Sequence, residues 1–151
     1  MEEINLGSNK YSYRELVAKG LEIKGVKNWY YGLSTALILN NMTHEYFSID
    51  YILNDIIQRN KPMDIAGHNF IFKKISARLL NFGVIEKGII FSDPEKTILD
   101  IVYLDRYGGV PPSRTSLKIS EYMSDADKAK LYDYAEEYPS TVLEFIKGVS
   151  S

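Results

Sequence analysis

Residues able to do acid–base or metal chemistry are few in this sequence. The carboxylates Asp93, Glu95 and Asp100 fall together in Ser92-Asp93-Pro94-Glu95-Lys96-Thr97-Ile98-Leu99-Asp100. As a set they could serve nucleotidyl or phosphoryl transfer, where acids hold Mg²⁺ against phosphate oxygens. Helical spacing sends Glu95 and Asp100 to different sides, so they would not jointly hold one ion. His44 and His68 are the only histidines, and neither has a partner at a metal-ligand spacing such as H-E-x-x-H. Cysteine is absent, which excludes disulfides, thiolate metal sites and a thiol nucleophile. No nucleophile elbow, Walker loop or dinucleotide fingerprint is present, and no spacing proposes a Ser-His-Asp set. No catalytic residue, no cofactor and no metal is expected.

Basic residues offer a different chemistry. Arg59, Lys61, Lys73, Lys74 and Arg78 outnumber the acids around them, whereas the last third carries Glu121, Asp125, Asp127, Asp133, Glu136, Glu137 and Glu144. Brought together by strands, the five bases would form a patch able to meet phosphates or an acidic partner. A solvated face is the plainer reading. Trp29, Tyr30 and Tyr31 could stack on bases, although such a run beside a helix more often belongs to a core. The formal charge of −2 gives no general pull toward nucleic acid or anionic membranes.

The element that must position these groups is centred on the acidic stretch. Ile89, Ile90 and Phe91 form a short apolar run between Gly88 and Ser92-Asp93-Pro94, as a strand buried on both faces does. Pro94 fits the first helical position with Asp93 as N-cap, and Ser92 with Glu95 is a rival capping box. Ile98, Leu99, Ile101 and Val102 then fill a wide arc of the wheel. Lys96, Asp100, Tyr103 and Tyr107 are left as a polar seam, with Lys96 and Asp100 read as a solvated i, i+4 pair. Glu95, in the first turn, suits a structural role with a nearby base.

Elsewhere, Ser12 and Glu15 can cap a helix over Tyr13–Lys19 that Gly20 ends, and 21–27 reads as a short strand or strap. A mostly buried helix over 33–39 stops at Asn40-Asn41. For 46–57 the periodicity fits both a strand and a helix. Asn60-Lys61-Pro62 marks a turn, and 63–66 and 68–75 read as strands joined at Gly67. Helices follow Gly108-Gly109 and Pro111-Pro112, one of them capped by a Ser124-x-x-Asp127 box, and the last is striped by Val142, Phe145, Ile146 and Val149. The expected fold is α+β: a small mixed sheet packed with a central buried helix and a C-terminal helical segment. The chain of 151 residues suits one core, and no apolar run reaches membrane-spanning length, which reads as a cytoplasmic protein.

Three motifs resemble those of the AbiEi-type antitoxin family of type IV toxin–antitoxin, abortive-infection systems. Tyr30-Tyr31-Gly32-Leu33-Ser34-Thr35-Ala36-Leu37 is similar to its Y-x-G/S-x-x-S/T-A-L motif. Ile65-Ala66-Gly67-His68-Asn69-Phe70-Ile71-Phe72 is similar to its I-x-G-x-x-F-x-F strand pair, and Ser92 to Asp100 to its S-D-P-E-K/R-T start of a helix. Order and separation agree, and the likeness spans roughly Trp29 to Phe145. It implies a strand over 47–53 and a regulatory module, residues 28–151, that counteracts a nucleotidyltransferase-like toxin. Members carry a winged-helix DNA-binding domain in front; here 1–27 reads as a partly helical extension too short for one, which leaves DNA binding dependent on an absent domain. The alternatives are a nucleic-acid-binding module acting through the basic strand face, or a nucleotidyl or phosphoryl transfer enzyme.

Overall fold

The computed structural model describes residues 13–65 and 67–150. Among them a six-stranded mixed sheet is built from β1 (Trp29–Gly32), β2 (Ile49–Asn54), β3 (Arg59–Ile65), β4 (His68–Lys74), β5 (Val84–Glu86) and β6 (Ile90–Ser92), in the order β3-β4-β2-β1-β6-β5. The helices are α1 (Tyr13–Ile23), α2 (Leu33–Leu39), α3 (Pro94–Tyr107), α4 (Pro112–Ser120), α5 (Lys128–Ala135) and α6 (Ser140–Ser150). The fold is α+β, as expected. No helix among the described residues is long and apolar enough to cross a membrane.

Strand alternation divides the core in two. Tyr31, Ile52, Phe70, Phe72 and Phe91 pack with Val17, Leu21 and Val26 on one face. Tyr30 and Leu53 point to the other, where Leu37, Ile98, Leu99, Val102, Leu131 and Ile146 complete the larger cluster. Helix α3 is the hub of that side and packs against α2, α4, α5 and α6.

Several local expectations are corrected. Helix α1 runs through Gly20, because Leu21 is needed in the core, and the chain turns only at Gly25, whose φ is +82°. The expected Ser12 cap and the 66 end of a strand lie outside the described residues. Within 13–27, α1 is helical and covers one sheet face, and Arg14 pairs with Asp50 at 3.0 Å. Trp29–Gly32, read as an approach to a helix, is an interior strand paired with β2 and β6. The 46–57 ambiguity resolves to a strand, β2, flanked by β1 and β4. Asn60-Lys61-Pro62 is no turn but part of β3, where Pro62 is tolerated because the strand is an edge and is bulged between Arg59 and Met63. The strand leading into α3 lies next to the edge strand β5, so Ile90 is only half-buried.

Candidate functional site

The corner between β6 and α3 folds as its residues dictate. Asp93 is the N-cap, its Oδ1 accepting the Lys96 N–H at 2.8 Å, with Pro94 at the first helical position. Ser92 loses the capping role and its hydroxyl lies 2.7 Å from that of Thr97, which also donates to the Asp93 carbonyl at 2.7 Å. Asn40, closing α2, donates to the Ser92 carbonyl at 2.8 Å.

The seam expected to face water is the most buried part of the helix. Lys96 and Asp100 have side-chain exposures of 0% and 1%, and Nζ meets Oδ1 at 2.7 Å. The ammonium donates its other hydrogens to the hydroxyls of Tyr30 at 3.0 Å and Tyr138 at 2.8 Å. Those hydroxyls in turn donate to Asp100, Tyr138 to Oδ1 at 2.6 Å and Tyr30 to Oδ2. All three ammonium hydrogens are therefore used. The rings of Phe82, Tyr138 and Tyr30 surround Nζ at 4.8, 5.1 and 5.3 Å from their centroids, close enough for cation–π attraction. Gly83, at φ +69°, lies on the lysine stem, and a Cβ there would come within 2.7 Å of the Lys96 Cβ.

Burial outweighs the attraction of Asp100 and pulls the Lys96 ammonium below the ordinary lysine value. Burial and then the Asp100 charge push the Tyr30 and Tyr138 hydroxyls well above theirs. One ion pair thus ties the sheet, the central helix and the link between α5 and α6. The solvated reading failed because helical periodicity sees one element, whereas Tyr30 and Tyr138 arrive from 66 and 42 residues away.

A second set of bonds clamps α5 to the start of α3. Asp93 Oδ2 accepts from Tyr134 at 2.7 Å and pairs with Lys130 at 3.2 Å. Glu95 accepts the Asp127 N–H at 2.7 Å and lies 3.4 Å from Lys130, the structural role expected of it with a base nearby. Burial lowers the Lys130 ammonium, but its bond to Asp93 and the Asp93 and Glu95 charges together hold it above the ordinary value. Asp127, not Ser124, caps α5. Glu95 and Asp100 bind different partners, as their spacing requires. Among the described residues no group of three or more His, Cys, Asp or Glu is placed to hold a metal ion.

The basic residues are brought to one end of the sheet but not to one face. Lys73 and Lys74 are consecutive in β4 and so point to opposite sides. Lys73 donates to Asn60 Oδ1 at 3.0 Å, Arg59 Nε to the Lys61 carbonyl at 3.2 Å, and Arg78 stands exposed on the 3₁₀ turn Ala77–Leu80. Lys73 and Lys74 share an open cleft of about 580 Å³ with Tyr103 and the exposed Tyr107. Lys73 also lines a second cleft of about 600 Å³, between α2 and the end of α3. Sequence reasoning missed the second cleft, because its walls come from five separate stretches. Trp29 and Tyr31 stack edge to face at 5.6 Å, with Tyr31 buried in the core, so the aromatic run is structural.

Compared with known proteins, the sequence matches no family model, and no curated protein shows a significant match to it.

Proposed function

We propose that this chain is a non-enzymatic, antitoxin-like regulatory domain of the AbiEi type, acting in the cytoplasm on a nucleotidyltransferase-like partner. One observation carries the reading. Every polar side chain from Ser92 to Asp100 is bonded to this chain's own groups, so the most specific motif of the resemblance works as architecture. The other two motifs are its neighbours: β1 pairs with β6 and sends Tyr30 to Asp100, and the β3–β4 hairpin joins the same sheet. Such a body presents surfaces to a partner and holds its acids away from substrate.

The test is whether the neighbouring reading frame encodes a nucleotidyltransferase-like protein, followed by co-expression of the two. Relief of that protein's growth inhibition is expected. A folded, abundant domain that gives no relief would defeat the proposal.

A second reading, nucleic-acid binding at the β3–β4 end, is favoured by Lys73 and Lys74 sharing a cleft with Tyr103 and Tyr107. It requires affinity that falls steeply with salt and weakens across all sequences on reversing both lysines.

A further inference from the structure

The cleft of about 600 Å³ beside α2 has the size of a small-molecule site, and the proposed regulatory role does not account for it. Leu33, Leu37, Ile101 and Leu104 give it an apolar floor. Leu33 stands at φ +53°, a left-handed conformation that leucine rarely adopts. Such strain gathers where a site is being shaped. Beside it the Ser34 hydroxyl is shut off from solvent and has no hydrogen-bond partner among the described residues, on the cleft wall.

The charges at the rim select the ligand. Lys118 pairs with Asp105 at 2.9 Å, whereas Lys73 gives a hydrogen to the neutral Asn60 Oδ1 at 3.0 Å and keeps its charge, so the lining sets the carboxylates of Glu45, Asp105 and Glu121 against two ammoniums. Glu45 and Glu121, both exposed at the rim, have no cationic partner among the described residues. They converge on Tyr122, whose hydroxyl is raised by burial and then by the charges of Glu121 and Glu45. This excess of carboxylate, carried by Glu45 and Glu121 over an apolar floor, suits a molecule with one cationic head and a hydrocarbon or aromatic body.

We propose that this cleft binds a small amphipathic cation, the body lying on Leu33, Leu37, Ile101 and Leu104 and the head between Glu45 and Glu121. The full chain, labelled with ¹⁵N, would be titrated with 2-phenylethylammonium, 2-phenylethanol and 3-phenylpropionate. The amine should shift the amide signals of 33–37 and 101–105 in a saturable way, and the carboxylate should bind least. Glu45→Gln with Glu121→Gln, two exposed changes, should keep the spectrum of the fold and weaken the amine about fivefold or more. No saturable shift at those amides would overturn the proposal. So would equal binding of the alcohol and the amine, or an amine affinity unchanged in the double variant. Failure of toxin neutralisation would leave this site untouched, because the titration needs no partner.

Discussion

Removing the Asp100 carboxylate should be the most informative single change in this protein. In Asp100→Ala, Lys96 keeps its place at 0% exposure but loses its counter-charge, and the Tyr30 and Tyr138 hydroxyls lose the acceptor they share. Breaking a buried pair by deleting one partner costs about 3–5 kcal/mol. Deprotonation of Lys96 sets a ceiling. From an unfolded lysine value of 10.5, neutralising it at pH 7 costs about 5 kcal/mol at ~1.4 kcal/mol per pH unit. The two figures agree, and both are a large share of a typical stability of about 5–15 kcal/mol. The expected fall in Tm is roughly 10–15 °C.

The pH dependence identifies the cause. In the variant the folded state holds Lys96 neutral while the unfolded chain still binds that proton, so stability rises with pH up to about 10. The deficit relative to the parent should shrink by up to ~1.4 kcal/mol per pH unit between pH 7 and 9. Adding Lys96→Met to Asp100→Ala should restore at least half of the loss, because no charge is then stranded. Urea denaturation followed by circular dichroism at several pH values measures all three quantities. A cost below about 1 kcal/mol, the level of an exposed i, i+4 pair, or a deficit that does not change with pH, would refute the reasoning.

Three further outcomes follow from the same geometry. Gly83→Ala should destabilise by about 2 kcal/mol or more in urea denaturation, since it combines a left-handed φ with a Cβ pressed into the Lys96 stem. Asp93→Ala should cost about 1–3 kcal/mol, beyond a lost N-cap alone, because the bonds to Tyr134 and Lys130 go with it; Tyr134→Phe should reproduce part of the loss. Tyr30 and Tyr138 are raised above an unfolded value of 10.0, and Tyr103 and Tyr134 to about 12. Stability from them is complete below pH 10 and is lost above it as the unfolded chain releases those protons first. Tyrosinate absorbance and loss of circular dichroism should therefore rise together above pH 10, against the opposite contribution of Lys96.

Much of the scaffold was legible from local rules. Asp93-Pro94 fixes a helix start through one cap and one missing N–H, which needs no tertiary information. The strand over 68–75 was legible from its alternation, which puts Phe70 and Phe72 together on one sheet face, while Ile75, just past β4, joins the core on the other. Glu95 was legible because a carboxylate in a first helical turn has free N–H groups and a positive dipole end to serve. Lys96 and Asp100 were not, since their partners are two tyrosines distant in sequence. No periodicity distinguishes a lysine that meets water from one that meets a box of rings. The run Trp29–Gly32 was missed as a strand because only four residues pair there, and Leu33 turns sharply into α2 through a left-handed φ. The cleft beside α2 left no signal at all, because its Glu45, Ser34 and Glu121 are contiguous only in space.

The claim that the charged seam of α3 is interior architecture rests most directly on the state of the Lys96 ammonium. Nitrogen-detected NMR of side-chain-labelled lysine at pH 6 and low temperature reads it. A single slowly exchanging ammonium signal is expected, with cross-peaks to the Tyr30, Phe82 and Tyr138 rings, and unchanged by Mg²⁺ or nucleotide. An ammonium exchanging as fast as those of surface lysines, or one that shifts when Mg²⁺ and nucleotide are added, would contradict it.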